Sequence, residues 1–138
     1  MLKVSGAFNV EFQINWTEIP DENTLKNWKD LNETVEYGAT AIALLLIDEL
    51  TEFSYSTRAT QMGVADYLLG KKGSPGDLEA SNPAAYLEVS GIWKESSGNS
   101  LAMRLNIKKR KVGKLDFQVP VIIIVAEFSV PKAKIIKV

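Results

Sequence analysis

The chain is predicted to fold as a single α/β domain in which a mixed central sheet is flanked by helices. Apolar runs typical of strands alternate with two segments of helical spacing. A length of 138 residues, 46% of them hydrophobic, suits one domain with one core. No repeat or linker divides residues 1–138, and the predicted order of elements is β-α-β-β-β-α-β-β.

The first strand and the first helix are predicted from their periodicity. Residues 8–16 alternate between apolar and polar side chains, which is typical of a half-buried strand. Apolar residues then recur at helical spacing from Leu25 onwards, and this helical pattern continues to about Leu50. Between Ala39 and Ile47 the helix is apolar nearly all round, which predicts burial on several sides.

Three strands and a basic helix are predicted in the middle of the chain. Residues 53–58 and 64–69 are rich in residues that favour strands, and a short turn joins them as a hairpin. A loop rich in Gly, Ser and Pro separates them from the next strand, residues 84–93. A helix then begins after the polar turn at 95–100 and ends at Gly113.

The last two strands follow the basic helix. Residues 119–125 are the most strongly β-branched stretch, as expected of a central strand buried on both faces. Pro120 has no backbone N–H to donate, so it must lie at the start of this strand. A final strand is predicted over residues 132–138.

The charge is divided unevenly along the chain. Residues 1–95 hold 7 Lys and Arg against 15 Asp and Glu, whereas residues 96–138 hold 9 against 2. A basic region of this kind either contacts phosphates or forms a solvated helix face that offsets the acidic remainder. The candidate nucleic-acid-binding residues are Arg58, Arg104, Lys108, Lys109 and Lys111.

The missing residue types exclude several kinds of site. The chain has no Cys and no His, so disulfides, thiol chemistry and zinc enzymes are excluded. A bound metal would have to be a hard ion with oxygen ligands, such as Mg²⁺ or Mn²⁺. The longest wholly apolar run, residues 41–47, is too short to cross a bilayer, and the N-terminus lacks a signal-peptide pattern. We expect a cytoplasmic protein with no membrane partner.

Two carboxylates stand within apolar, strand-like runs. Asp66 and Glu88 are each expensive to bury, so each needs a cationic partner, a metal ion or a raised pKa. Together they form a candidate metal site. Ser90 shares the strand face of Glu88. Glu49 projects from the apolar stripe of the first helix, towards the sheet or towards solvent.

The segment from Thr34 to Val125 resembles the common core of the restriction-endonuclease-like superfamily, the nucleases named for their PD-(D/E)xK motif. It consists of a helix, three strands, a helix and a strand, and it covers about two thirds of the chain. Residues 66–70 and 87–92 also look like a group of uncharacterised bacterial proteins. The resemblance implies a restriction-endonuclease-like core for this chain.

The resemblance also implies a divalent-metal-dependent phosphodiesterase that acts on nucleic acid. Asp66 and Glu88 match the carboxylates that bind Mg²⁺ or Mn²⁺ in that superfamily, and Glu49 would be the counterpart of a third carboxylate. Ser90 stands where the superfamily has Lys, so a catalytic cation must come from elsewhere. The candidates are Lys108 or Arg104 on the following helix and Arg58 on the preceding strand.

Three function classes remain open at this point. The first is the metal-dependent nuclease, with Asp66, Glu88, Ser90 and Glu49 as candidate catalytic residues. The second is an inactive relative that keeps the scaffold and binds nucleic acid or a protein partner. The third is an unrelated α/β interaction protein. A homodimer is expected, because small nuclease domains often pair to cut two strands and the first strand offers an edge.

Overall fold

The computed structural model describes residues 1–15, 22, 26, 30–59, 65–73 and 82–138. In this part of the chain the order of elements is β-β-α-β-β-β-α-β-β, so the fold is mixed α/β. The bounds are β1 Leu2–Gly6, β2 Val10–Phe12, α1 Leu31–Leu50, β3 Phe53–Arg58, β4 Tyr67–Lys71, β5 Ala85–Ile92, α2 Leu101–Gly113, β6 Val121–Glu127 and β7 Lys132–Lys137. None of the described helices has the length and hydropathy needed to cross a bilayer.

All seven of these strands belong to one sheet, in the order β2-β1-β7-β6-β5-β4-β3. The pairs β1·β7 and β5·β6 are parallel, and the other four pairs are antiparallel. Parallel neighbours need a long crossover, which α2 provides between β5 and β6. Strands β2 and β3 form the two edges of the sheet.

The two helices cover opposite faces of this sheet. Alternate residues of a strand point to opposite faces, and β5 and β6 are buried on both. Leu87 and Ile124 belong to the core that includes Ala43 of α1. Ile123 and Ile92 belong to the core that includes Leu105 of α2. The result is a three-layer arrangement with β5 and β6 in its centre.

A glycine in β5 lets α1 approach the sheet closely. A Cβ atom at Gly91 would lie 2.6 Å from Val35 Cγ1, 2.7 Å from the Val35 carbonyl oxygen and 3.0 Å from Ala39 Cβ. Real Cβ atoms essentially never come so close to other heavy atoms. The spacing between α1 and β5 therefore depends on the absence of a side chain at Gly91.

Several sequence predictions are confirmed. Helix α2 ends at Gly113, β6 is buried along its whole length with Pro120 just before it, and β7 occupies the predicted final strand. Glu88 and Ser90 lie on the face of β5 that α2 covers, as the period of two predicts.

Two predictions are wrong. The N-terminal region forms two short strands rather than one long strand, since β1 precedes β2 and pairs with β7. Helix α1 is not buried on several sides as predicted, because Leu45, within its apolar stretch, is 53% exposed. The beginning of the predicted first helix at residues 23–25 and 27–29, the end of the predicted first strand at Trp16, and the hairpin turn at residues 61–63 lie outside the described residues.

Candidate functional site

Glu88 is a fully buried carboxylate in the middle of β5. Its Oε2 accepts a hydrogen bond from Lys108 Nζ at 2.6 Å, and its Oε1 accepts one from Lys111 Nζ at 2.8 Å. The Glu88 side chain has no exposed surface. An unpaired carboxylate there would be costly, and two ammonium groups compensate its charge.

Helix α2 presents its cations to β5 because of their spacing. Arg104, Lys108 and Lys111 are separated by four and three residues, so they share one face of the helix. The helix begins at a conventional cap, in which the Ser100 hydroxyl accepts a hydrogen bond from the Met103 N–H at 3.2 Å. These three cations therefore point towards Glu88 and Ser90 on β5.

A second carboxylate fixes the start of α2. Glu95 Oε1 accepts a hydrogen bond from the Leu101 N–H at 2.7 Å, and Oε2 is paired with Lys132 of β7. The hydrogen bond from Lys132 and then that from Leu101 hold the pKa of Glu95 below its usual value. The same ion pair raises the pKa of Lys132. Glu95 thus ties the start of α2 to the sheet.

Asp66 lies directly before β4, next to Glu88. Its backbone is held on both sides, because Ala59 N–H donates to its carbonyl and its own N–H donates to Leu87. Its Oδ2 accepts a hydrogen bond from the Val89 N–H at 2.8 Å and lies 3.6 Å from Lys108 Nζ. Lys108 is therefore shared by Asp66 and Glu88.

The electrostatics of Lys108 result from opposing effects. Burial disfavours its charge and by itself would lower its pKa. The hydrogen bond to Glu88 and the charges of Asp66, Glu88 and Glu36 outweigh burial, so the pKa of Lys108 lies above its usual value. The amine is consequently a stable cation at neutral pH and unsuited to act as a general base.

Ser90 contacts a cation on α2 as well. Arg104 Nη1 donates to Ser90 Oγ at 3.3 Å, and Arg104 Nε donates to Asn99 Oδ1 at 2.7 Å. The resemblance leads us to expect a lysine at this position. The chain has Ser90 there, and its hydroxyl faces the Arg104 guanidinium. Arg104, Lys108 and Lys111 together form a row of cations along β5.

An open cavity of about 580 Å³ adjoins these residues on the α1 side. Its walls include Glu33 and Glu36 of α1, Arg58 at the end of β3, Asp66, and Tyr67 at the start of β4. We call it the α1 cavity. Asp66 lines this cavity and also lies 3.6 Å from Lys108 Nζ, so its carboxylate connects the cavity to the nearest cation of α2.

Two sequence-predicted residues lie away from Asp66 and Glu88. Glu49 is exposed in the last turn of α1. The α1 residue that contacts the start of β4 is Thr40, whose hydroxyl lies 3.2 Å from Tyr67 Oη. Glu49 follows Thr40 by nine residues, which is roughly 14 Å along a helix. Lys109 is exposed on the outer surface of α2.

Lys109, Arg110 and Lys114 form an exposed group that we call the basic face. Within the described ranges, none of the three has an acidic partner within 4.0 Å. Lys111 has its ammonium on Glu88 but remains 40% exposed. The outer surface of α2 therefore carries positive charge that no described carboxylate compensates.

The residues around Glu88 do not form a ready divalent-metal site. The described residues include no group of three carboxylates arranged to hold a metal ion. Both Glu88 oxygens accept from ammonium groups, and Asp66 Oδ2 accepts from a backbone N–H. Carboxylates are suitable ligands for Mg²⁺ or Mn²⁺. An ion could use Glu88 only after a lysine had left it.

Two residues of this site were missed by sequence reasoning. The sequence predicts Lys111 only as a nucleic-acid contact, although its spacing of three from Lys108 places it on the same helix face. Glu36 lies in a polar part of α1, where the sequence pattern does not distinguish a site residue from other exposed charges. Its role depends on the packing of α1 beside Asp66, which periodicity does not reveal.

Comparison of this chain with protein-family models, with curated proteins and with solved structures finds no match.

Proposed function

We propose that this chain is a nucleic-acid-binding protein built on a restriction-endonuclease-like core, with lysines in the place of a catalytic metal. The order of α1, β3, β4, β5, α2 and β6 supports the core, since β3 to β5 are antiparallel neighbours and α2 leads into the parallel β6. The observation that carries the function is the pairing of both Glu88 oxygens with lysines of α2.

Charge balance favours binding over metal-dependent cleavage. The carboxylates of Asp66, Glu88 and Glu36 are offset by Lys108, Lys111 and Arg104, so the site has no excess negative charge to attract a dication. The uncompensated positive charge lies on the basic face of the same helix. A backbone phosphate would be attracted to that face.

The proposal is tested by the salt dependence of binding. Fluorescence anisotropy would measure the affinity for labelled single-stranded and duplex oligonucleotides between about 50 and 200 mM salt. The basic-face variant Lys109→Gln/Arg110→Gln/Lys114→Gln should reduce the slope of log K against log salt by about 2 to 3, because each lost phosphate contact removes nearly one unit.

A matched control removes the same charge elsewhere. Lys71, Lys134 and Lys137 lie on β4 and β7 and have no described acidic partner within 4.0 Å. The variant Lys71→Gln/Lys134→Gln/Lys137→Gln should keep the wild-type slope. Equal slopes for the wild type and the basic-face variant, or no binding by the folded wild type, would contradict the proposal.

A metal-dependent phosphodiesterase is the second candidate, and the position of Lys108 favours it. The Lys108 ammonium is near both Asp66 and Glu88, where a cation could stabilise charge that develops on a phosphate. Mg²⁺ can be held by one or two carboxylates together with substrate phosphates. Asp66 and Glu88 would hold it here, and the ion would supply an activated water.

Titration calorimetry with Mn²⁺ separates the two candidates. For the nuclease, the wild type should bind Mn²⁺ and cleave DNA or RNA, and Asp66→Asn and Glu88→Gln should lose both properties. Lys111→Met should then raise the affinity for Mn²⁺, since it releases Glu88 Oε1. For the proposed binding protein, folded wild type should bind oligonucleotides without Mn²⁺ and without cleavage.

A further inference from the structure

The α1 cavity has the size of a small-ligand site. Its volume of about 580 Å³ falls within the range of about 300 to 1,000 Å³ typical of such sites. It lies between the first half of α1 and the adjoining ends of β3 and β4. A duplex is far too wide to enter a space of this size, whereas one nucleoside is not.

The walls of the cavity select a ligand that donates hydrogen bonds. Glu33, Glu36 and Asp66 line it, and ionised carboxylates only accept hydrogen bonds. A phosphate inside the cavity would be repelled by these three groups. A neutral group with N–H or O–H donors would be favoured instead, as when Asp or Glu accepts from the amino group of cytosine.

One wall is a fixed aromatic ring. The Tyr67 hydroxyl is within 3.2 Å of Thr40 Oγ1, and the ring contacts Tyr55 edge to face with centroids 6.1 Å apart. These contacts hold Tyr67 in one orientation at the cavity. Aromatic rings provide flat surfaces on which a nucleic-acid base can stack.

Cations stand beside the acidic walls. Arg58 lines the cavity, and Lys108 Nζ lies 3.6 Å from Asp66, which also lines it. A ligand whose donor-rich end enters the cavity would thus leave an attached phosphate close to positive charge. A nucleotide within a strand has this combination of a neutral, hydrogen-bonding base and a charged phosphate.

We propose that the α1 cavity binds one unpaired base of a nucleic-acid strand, of the kind that carries an exocyclic amino group. Adjacent phosphates then contact Arg58 and the cations of α2. The inference rests on the proposed nucleic-acid binding and adds to it a preference for single strands and for cytosine or adenine over thymine. An exocyclic amino group offers two N–H donors to the carboxylates, whereas the single N3–H of thymine lies between two carbonyl oxygens that the carboxylates would repel. Paired bases are excluded because a base must leave the duplex before it can enter a cavity of this size.

The test compares twelve-nucleotide strands of deoxycytidine, deoxyadenosine and thymidine by fluorescence anisotropy at pH 7.5. Wild type should bind the first two about tenfold more tightly than the third, because one good base-edge contact discriminates by about that factor. In Glu33→Gln/Glu36→Gln the ratio should approach one, since an amide presents donors as well as an acceptor. Glu52→Gln, an exposed residue just beyond α1, should keep the wild-type ratio.

The test separates base binding in the α1 cavity from the binding of nucleic acid as such. The salt slope should stay at the wild-type value in Glu33→Gln/Glu36→Gln, because these residues contact no phosphate. A wild-type ratio of one, or a ratio that persists in the folded double variant, would overturn the cavity assignment and leave the proposed function intact. Failure of the folded wild type to bind any of the strands would overturn both. Circular dichroism establishes that the variants are folded.

Discussion

Lys108 Nζ donates a hydrogen bond to Glu88 Oε2 at 2.6 Å, across the interface between α2 and β5. The Glu88 side chain is fully buried, while the Lys108 side chain remains 21% exposed. A buried ion pair of this kind adds less to stability than its Coulomb energy suggests, because both ions lose hydration. Removing only one of the two charged partners lowers the stability of the fold far more than replacing both.

Glu88→Gln should therefore destabilise the fold strongly. The variant keeps the shape of the side chain but removes the charge with which both Lys108 and Lys111 pair, and Lys108 keeps only Asp66 at 3.6 Å. Because both lysines are partly exposed, we expect a cost of about 1.5 to 3 kcal/mol, the range for a lost hydrogen bond to a charged group. Urea unfolding would measure the loss, with the exposed Glu52→Gln as a control expected within about 0.5 kcal/mol of wild type. A Glu88→Gln protein as stable as the control would contradict the buried ion pair.

The Lys108 pair should also give stability a dependence on alkaline pH. The folded pKa of Lys108 lies above its usual value, so the stabilisation is fully present below the unfolded pKa of about 10.4 and is lost as pH rises through the folded pKa. The difference in unfolding free energy between wild type and Lys108→Met should be constant from pH 7 to pH 9 and shrink above about 10.4. Denaturant titrations across this range would test it, and a difference that stays constant would exclude the effect.

Glu95 should have the opposite pH dependence. Its folded pKa lies below the usual value because of Lys132 and the Leu101 N–H, so its stabilisation is present above about pH 4.3 and lost as pH falls through the folded pKa. The melting temperature of wild type should exceed that of Glu95→Gln at pH 6, and the two should converge towards pH 3. Thermal unfolding monitored by circular dichroism measures this. The same gap at both pH values would count against the assignment.

Gly91→Ala should destabilise the protein, because the added Cβ would meet the backbone of α1 at Val35. Overpacking of this kind typically costs about 1 to 3 kcal/mol. Gly98→Ala is the matched control, since no heavy atom lies within 4 Å of a Cβ built there. Unfolding free energies of the two variants would be compared, and equal values would show that α1 can move away from β5 at little cost.

The sequence predicted most elements of the described fold for identifiable reasons. Helix α2 has a polar cap at Ser100 and a glycine at its end, and β6 is a continuous β-branched run. Strand β1 was missed because Leu2 and Val4 are the only buried side chains in five residues. Its place is decided by the parallel partner β7, which local periodicity does not indicate.

The site was predicted less completely than the fold. That Asp66 and Glu88 belong to one site was predicted from two carboxylates in strand-like runs and from the resemblance, and Lys108 was among the candidate replacement cations. Whether Glu88 holds a metal ion or lysines depends on the distance between α2 and β5, which only the packed structure supplies. Glu49 was selected from helix periodicity, although Glu36 is the α1 carboxylate that lines the cavity.

The parallel pairing of β1 with β7 also affects how the chain can fold during synthesis. Lys3 pairs with Lys132, so β1 and β2 have no place in the main sheet until the chain has been synthesised as far as β7. At about 5 to 20 residues per second this interval is on the order of ten seconds. The segment from α1 to β5 can meanwhile begin to assemble from contacts near in sequence. Throughout this time the pair of β1 and β2 keeps an unpaired strand edge, at which other chains could associate.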